Sequence, residues 1–191
     1  MNKVNFDAKM QNLICGKKIL LHSCCAPCST TCLERLLPVS SVVVYYYNPN
    51  IDTYEEFTKR LGEQQRYCDK LSVTCITDGY EKTEFLTAVS GLENEKEGGK
   101  RCEKCFYLRL KKTALKAKSL GFDAFMTTLT LSPLKNSQLI NDIGEKIGQE
   151  IGIEYIPSDF KKRDGFMLSV KLSRDNDLYR QNYCGCEFSK R

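Results

Sequence analysis

The sequence predicts an α/β protein with a mainly parallel sheet and flanking helices. Short β-branched or aromatic runs alternate along the chain with longer segments of helical periodicity, as in βαβ units. A length of 191 residues suits one domain with a substantial core. We expect a single α/β domain over residues 19–191, with a C-terminal helical segment ending in Cys-Gly-Cys, and an N-terminal extension over residues 1–18.

The first half of the chain contains three predicted strands with helices between them. The run 18–23 is apolar enough for a buried strand, and Pro27 suits the first turn of a helix reaching about Leu37. Further apolar runs and helical stripes follow. They predict strands at 42–47 and 73–77, and helices at 54–71 and 81–89.

The second half continues the alternation. A helix is predicted at 103–120, because Gly121 stands where glycine commonly ends a helix. A strand at 122–129, an amphipathic helix through Leu139 and Ile151, and a short strand at 155–157 follow. The polar segment 91–101 is predicted to be a loop, and the residues after 157 are expected to be mostly helical.

The eleven cysteines are the most informative residues, because many of them fall in local groups. Their number is odd and no apolar leader precedes them, so a disulfide framework is not indicated. We expect a cytoplasmic protein, where grouped thiols are usually metal-binding or catalytic. No run approaches the roughly 18 apolar residues of a membrane span, so no membrane partner is expected. Three pairs matter most: Cys24 and Cys25, Cys102 and Cys105, and Cys184 and Cys186.

The first two pairs predict a metal site. In parallel α/β sheets the ligand crevice lies beyond the carboxyl ends of the strands, where Cys24 and Cys25 follow the first strand. Two pairs from distant segments could supply the four thiolates of a [4Fe–4S] cluster. They could equally hold a structural zinc, for which Cys25 and Cys28 form a knuckle. The residues alone leave cluster, zinc and inert thiols open.

The third pair predicts a dithiol that cycles with a disulfide. A disulfide closed across Gly185 makes a small, constrained ring, and strained disulfides are easily reduced. The alternative is two more metal ligands. His22, the only histidine, could donate a proton or orient a ligand, or could be a buried histidine bonded to backbone. Four other cysteines, at 15, 32, 68 and 75, are predicted to fill the core.

The chain carries a net charge of +5, which permits nucleic-acid binding without requiring it. Basic runs at 96–112 and beyond Asp159 flank the thiol pairs. They could follow a phosphate backbone or be solvated helix faces.

Six separated motifs carry a family resemblance. They are LHSCCAPC (21–28), YYNPNI (46–51), RCEKCFYLRL (101–110), TTLTLSP (127–133), DFKK (159–162) and YRQNYCGC (179–186). Together, and in this order, they resemble the QueH-type epoxyqueuosine reductases. The resemblance extends from about Ile19 to Ser189.

That resemblance implies a fold similar to the adenine-nucleotide α-hydrolase group and a single catalytic domain. It implies reduction of epoxyqueuosine to queuosine at the wobble position of tRNA, without cobalamin. By resemblance, the [4Fe–4S] ligands are Cys24, Cys25, Cys102 and Cys105, and the redox-active pair is Cys184 and Cys186. The resemblance also implies one additional iron. It implies an electron donor as well, which the sequence does not identify.

Two other function classes remain open on the sequence. A zinc-stabilised tRNA-binding module would be colourless, whereas an iron–sulfur protein absorbs visible light. An ATP-dependent tRNA thiolation enzyme would need a phosphate loop, and the segment 23–27 has no glycine to make one. For the reductase, Tyr183, Tyr179, His22 or an aspartate could supply protons.

Overall fold

The structure, a computed structural model, describes residues 10–190. Its five strands form one sheet in the order β3-β2-β1-β4-β5, and every pair is parallel. The mainly parallel α/β fold is therefore confirmed. The strands are β1 (Lys18–Ser23), β2 (Ser41–Tyr46), β3 (Cys75–Thr77), β4 (Ala124–Thr127) and β5 (Glu154–Tyr155).

Six helices with complete bounds connect and cover the strands. They are α1 (Ala26–Leu36), α2 (Tyr54–Lys70), α3 (Lys82–Ala88), α4 (Lys100–Ser119), α5 (Ser137–Ile151) and α6 (Gly165–Asp175). One 3₁₀ helix, Thr128–Leu131, directly follows β4, and a second, Glu187–Ser189, lies near the end of the described residues. The chain fills the β1-β2-β3 side first and then crosses to β4, so the strand order switches beside β1. Ligand crevices of open α/β sheets lie at such a point.

Both faces of the sheet are buried, which explains why β1 is an unbroken apolar run. Ile19 and Leu21 pack into one core cluster with residues of α1 and β2, whereas Leu20 packs into the other with residues of α4 and α5. Residues 10–14 are helical, and Met10 and Ile14 belong to the first cluster. The rest of the expected extension, residues 1–9, lies outside the described residues.

Several element boundaries differ from the sequence prediction, and two of these differences lie beside the motifs. Strand β4 stops at Thr127 because its hydroxyl accepts the Leu129 N–H at 3.1 Å and opens a 3₁₀ turn. Helix α4 starts at Lys100, inside the segment predicted to be a loop.

The C-terminal prediction was wrong in part. Helix α6 ends at Asp175, and residues 176–186, called the tail here, contain no helix. The reason is that tail backbone groups bond to other segments instead of to each other. The Tyr179 N–H, for example, donates to Glu63 at 2.8 Å, and the Cys184 carbonyl accepts from Arg60 at 3.2 Å.

Candidate functional site

Three cysteine sulfurs meet where β1 ends and α1 begins. The sulfurs of Cys24, Cys25 and Cys28, the strand-end thiols, all lie within 4.8 Å of one another. Cys25 occupies the N-cap of α1 in an extended conformation, and Pro27 fixes the first turn. This strand-to-helix junction is local, so a short stretch of sequence builds the group.

The strand-end thiols are electrostatically unequal. Hydrogen bonds from the Cys25 and Cys28 thiols lower the pKa of Cys24 well below its ordinary value. The same contact with Cys24 raises the pKa of Cys25 to about 12, and it also raises that of Cys28. Cys24 is thus the sulfur most readily deprotonated, and a bound metal would displace the remaining protons.

Cys102 and Cys105 lie on the first turns of α4 and do not belong to the three-sulfur group. Cys105 is buried in a small cluster with Phe85 and Cys186, against which Cys184 also packs. Burial raises the pKa of both Cys102 and Cys105, and the charge of Cys184 adds to the effect. The structure therefore brings this pair toward the end of the tail.

Cys184 and Cys186, the tail thiols, are both free and lie together. A hydrogen bond from Cys186 lowers the pKa of Cys184 to about 5, while the pKa of Cys186 is raised by the same contact. The Cys184 sulfur also lies 3.0 Å from the Ser189 hydroxyl. Cys184 is therefore the thiolate of the pair at neutral pH, and Cys186 is the protonated partner.

One cavity joins these groups. It has a volume of about 500 Å³, and Cys24, Cys28 and Cys184 all line it. Its walls combine apolar side chains such as Leu129 with one carboxylate, Glu97, and four cationic side chains: Arg109, Lys135, Arg180 and Lys190. Burial disfavours the ammonium of Lys135, but the sulfurs of Cys24, Cys184 and Cys28 outweigh burial and raise its pKa. The cavity is thus a thiol-rich pocket under positive potential.

Arg109 shows best what this pocket is built to hold. Its side chain is buried, and its contacts are neutral or sulfur groups: His22 Nε2 at 3.3 Å, Cys105 Sγ at 3.9 Å and the Asn48 amide oxygen. Within residues 10–190 no carboxylate forms an ion pair with it. Because an uncompensated buried charge is costly, thiolates or a metal–thiolate centre are the natural counter-ion.

A second observation fits a metal centre here. The hydroxyl of Tyr46 is fully buried and has no hydrogen-bond partner within the described chain. Burial raises the pKa of Tyr46, and the charges of Cys25 and Cys24 add to the effect, which indicates that the hydroxyl lies near the strand-end thiols. Buried hydrogen-bond donors without partners are rare. An unpaired Tyr46 hydroxyl beside grouped sulfurs is therefore expected where a bound metal centre would fill the site.

His22 fits the structural interpretation and not the proton-donor one. Its ring is buried between the Thr127 hydroxyl at 2.9 Å and the Tyr47 carbonyl at 3.1 Å. Burial and then Arg109 lower its pKa to about 3, so the imidazole is neutral. Of the tyrosines considered, Tyr183 lines the cavity, whereas Tyr179 does not and donates to Glu56.

Sequence reasoning missed several residues of the site. Arg109 stands four residues after Cys105 within the motif 101–110, so helical spacing could have placed it beside the sulfur. Cys28, which the sequence suggested only as part of a zinc knuckle, is the third strand-end thiol. Lys135 and Arg60 had no local signal, because their contacts depend on the fold.

Comparison with known proteins places the chain. The family described as Epoxyqueuosine reductase QueH matches residues 19–191. The chain belongs to this family. Its relatives named Epoxyqueuosine reductase QueH include one from Streptococcus pyogenes serotype M1, 42% identical over 98% of this chain and 78% of that protein. The relative from Staphylococcus epidermidis is 39% identical over 98% of this chain and 85% of its own length. The relative from Thermotoga maritima is 36% identical over 90% of this chain and 89% of its own length.

A solved structure supports the fold of this QueH family member. The U34-tRNA thiolase NcsA from Methanococcus maripaludis, solved with its [4Fe-4S] cluster, superimposes with a TM-score of 0.61. The match covers 99% of this chain and 70% of the thiolase, at 13% sequence identity. It confirms the expected similarity of fold. Within residues 10–190, no helix has the length and apolar character needed to cross a bilayer.

Proposed function

We propose that this chain reduces epoxyqueuosine to queuosine in tRNA, as an oxidoreductase of tRNA modification. The family match across residues 19–191 names the reaction. The observation that carries the proposal is the shared cavity, because Cys24, Cys28 and Cys184 all line it and can face the same ligand. A site for cofactor and a site for reducing equivalents therefore open onto one volume.

The resident cofactor in this proposal is a [4Fe–4S] cluster held by Cys24, Cys25, Cys102 and Cys105. When bound, such a cluster supplies one-electron transfer. The buried cation of Arg109, without a carboxylate in residues 10–190, supports an anionic metal centre at this place. The positive charge of Lys135 reinforces it from the cavity wall.

One additional iron beside the cluster completes the proposed cofactor. Cys24 and Cys25 are assigned to the cluster, so Cys28 is the strand-end sulfur left for that iron, and it lies within 4.8 Å of both. Cys28 also lines the cavity, so an iron held there would be open to a ligand.

The reaction balances with the tail thiols as the source of electrons. The epoxide takes up two electrons and two protons, loses its oxygen as water and leaves an alkene. Two thiols supply the same number of electrons and protons when they become one disulfide. Cys184, with a lowered pKa, is the thiolate of this pair, and Tyr183 lies in the same cavity with its hydroxyl 3.0 Å from Asp52. An electron donor must then reduce the disulfide again.

The cavity suits a nucleotide taken out of its stack. Enzymes that modify a base usually extrude it into a pocket, and apolar walls with cationic rims suit base and phosphate. Lys135 and Arg180 line the cavity, and within residues 10–190 neither is ion-paired with a carboxylate. Phosphate contacts of this kind predict binding to tRNA that weakens steeply with salt. We place the enzyme in the cytoplasm with its substrate.

The test is an anaerobic assay of the reconstituted chain. Protein, tRNA carrying epoxyqueuosine and a chemical reductant are incubated without cobalamin, and digested nucleosides are weighed by mass spectrometry. Conversion to queuosine, one oxygen lighter, is expected. A colourless protein with stoichiometric zinc, binding tRNA without converting it, would replace the proposal with the zinc-stabilised binding module.

A further inference from the structure

The backbone between the tail thiols is held by donors from distant segments. The carbonyl of Cys184 accepts two side-chain hydrogen bonds, from Arg60 Nη1 at 3.2 Å and from Asn50 Nδ2 at 3.3 Å. The next carbonyl, that of Gly185, accepts the Asp52 N–H at 2.9 Å. Two successive carbonyls of an otherwise irregular segment are thus fixed from outside the tail.

Arg60 cannot easily move away from this position. Its side chain is only 1% exposed, and its Nε pairs with Glu56 at 2.7 Å one helical turn earlier. The guanidinium also lies over the Tyr183 ring, 5.0 Å from the centroid, and its Nη2 is 3.5 Å from the Tyr183 carbonyl. A buried, ion-paired fork of this kind defines the position of the peptide it binds.

Gly185 shows how closely the peptide is packed. Its φ of +104° is a backbone conformation that residues other than glycine rarely adopt. A Cβ atom there would stand 2.9 Å from Ile51 Cγ1 and 3.0 Å from Arg60 Nη1. The peptide between the two cysteines therefore has little space in which to shift.

We infer that Arg60 and Asn50 are positioning residues that set the reduction potential of the Cys184–Cys186 pair. Closing a disulfide across one residue needs the intervening backbone to adapt. Side chains that hold this backbone in its dithiol arrangement raise the free energy of the disulfide, and strained disulfides have more oxidising potentials. The inference rests on the proposed redox role of the pair, in which two thiols give two electrons and two protons to the epoxide and form one S–S bond.

The consequence is a Cys184–Cys186 disulfide with a more oxidising reduction potential. A pair held in this way is readily reduced again after each turnover. We call the hydrogen bonds of Arg60 and Asn50 to the Cys184 carbonyl the clamp. Removing one of these bonds should stabilise the disulfide and slow its reduction by the electron donor.

The test uses Arg60→Lys and Asn50→Ala, with Arg66→Lys as the matched control. Arg66 lies on the same helix and binds the same tail, through the carbonyls of Asn176 at 3.2 Å and Asp177 at 2.8 Å, but away from the thiols. Anaerobic holoenzyme is equilibrated in glutathione buffers of defined potential and trapped. The Cys184–Cys186 disulfide is then quantified by peptide mass spectrometry, without tRNA or turnover.

Each clamp variant should favour the disulfide by about tenfold, equivalent to about 30 mV toward more negative potential. Arg66→Lys should change the equilibrium less than about twofold. An unchanged equilibrium in Asn50→Ala and Arg60→Lys, or an equal shift in the control, would overturn the inference. If Arg60→Lys does not fold, Asn50→Ala decides alone. A wild type that never forms this disulfide would remove the redox role as well, whereas a wild-type disulfide without tRNA turnover would remove only the proposed reaction.

Discussion

The strand-end thiols and the tail thiols reach the same cavity by different means. Cys24, Cys25 and Cys28 are placed by the end of β1 and the first turn of α1, which are adjacent in sequence. Cys184 and Cys186 are placed by residues more than a hundred positions away, through hydrogen bonds to tail carbonyls. Secondary structure places the first group, whereas side-chain partners from other segments place the second.

This difference suits two kinds of chemistry. A metal centre requires sulfur ligands that stay in place, and a strand-to-helix junction provides them. A dithiol whose disulfide must be readily reduced suits a backbone that partners from other segments hold in the dithiol arrangement, and the tail provides it. Variants that separate metal binding from thiol redox therefore test the comparison directly.

The largest effect is expected at the tail thiols. Cys184→Ser and Cys186→Ser should each lower multiple-turnover reduction of epoxyqueuosine tRNA by at least about a hundredfold, because one sulfur cannot form the disulfide. Iron content should remain that of the wild type. The control for loss of a thiol is Cys15→Ser, since Cys15 is exposed and the prediction that it fills the core was wrong. Loss of iron in either tail variant would make these residues metal ligands instead.

The next effect concerns the metal. Cys102→Ala or Cys105→Ala should remove most of the visible absorbance and most of an expected content of about four irons and four sulfides per chain. Cys75→Ala, a partly buried cysteine of the edge strand, should keep both. Metal analysis after anaerobic purification provides the comparison. Iron retained in the α4 variants but lost in Cys28→Ala would place the centre on the strand-end thiols alone.

A smaller effect is expected on stability. Gly185→Ala should destabilise the fold by about 1–3 kcal/mol, since the left-handed backbone and two close contacts both oppose a Cβ atom. The matched control is Gly62→Ala in the middle of α2, where a Cβ meets nothing within 4 Å. That change should be neutral or stabilising by up to about 1 kcal/mol. Urea unfolding of both variants measures the difference, and equal stability would show that the tail is not clamped.

The smallest effect is in thiol reactivity. The pKa of Cys184 is lowered to about 5 by Cys186, so its thiolate persists at mildly acidic pH and is lost only as pH falls through that value. Alkylation of the metal-free protein by iodoacetamide at pH 6 should therefore modify Cys184 about tenfold faster than a small-molecule thiol with a pKa near about 8.5, because its larger thiolate fraction outweighs the weaker nucleophilicity of a low-pKa thiolate. Peptide mass spectrometry reads the rate. A pH profile for Cys184 that matches the small-molecule thiol would contradict the arrangement.

The sequence predicted what depends on neighbours along the chain. Alternating apolar runs gave the five strands, and Cys24 and Cys25 were expected at the carboxyl edge because they directly follow β1. The tail was wrongly expected to be helical, because its stabilising partners, such as Arg60, lie far away in sequence. Lys135 was missed for the same reason, since only the folded chain brings it beside both thiol groups.

The division of labour between the two thiol groups is tested most directly by one single-turnover measurement. Reduced holoenzyme, freed of excess reductant, is mixed anaerobically with epoxyqueuosine tRNA. Queuosine and the Cys184–Cys186 disulfide are then quantified in the same sample. Queuosine and the disulfide should accumulate together, with one disulfide for each queuosine and with the iron content unchanged. Queuosine formed while both tail thiols remain reduced would contradict it.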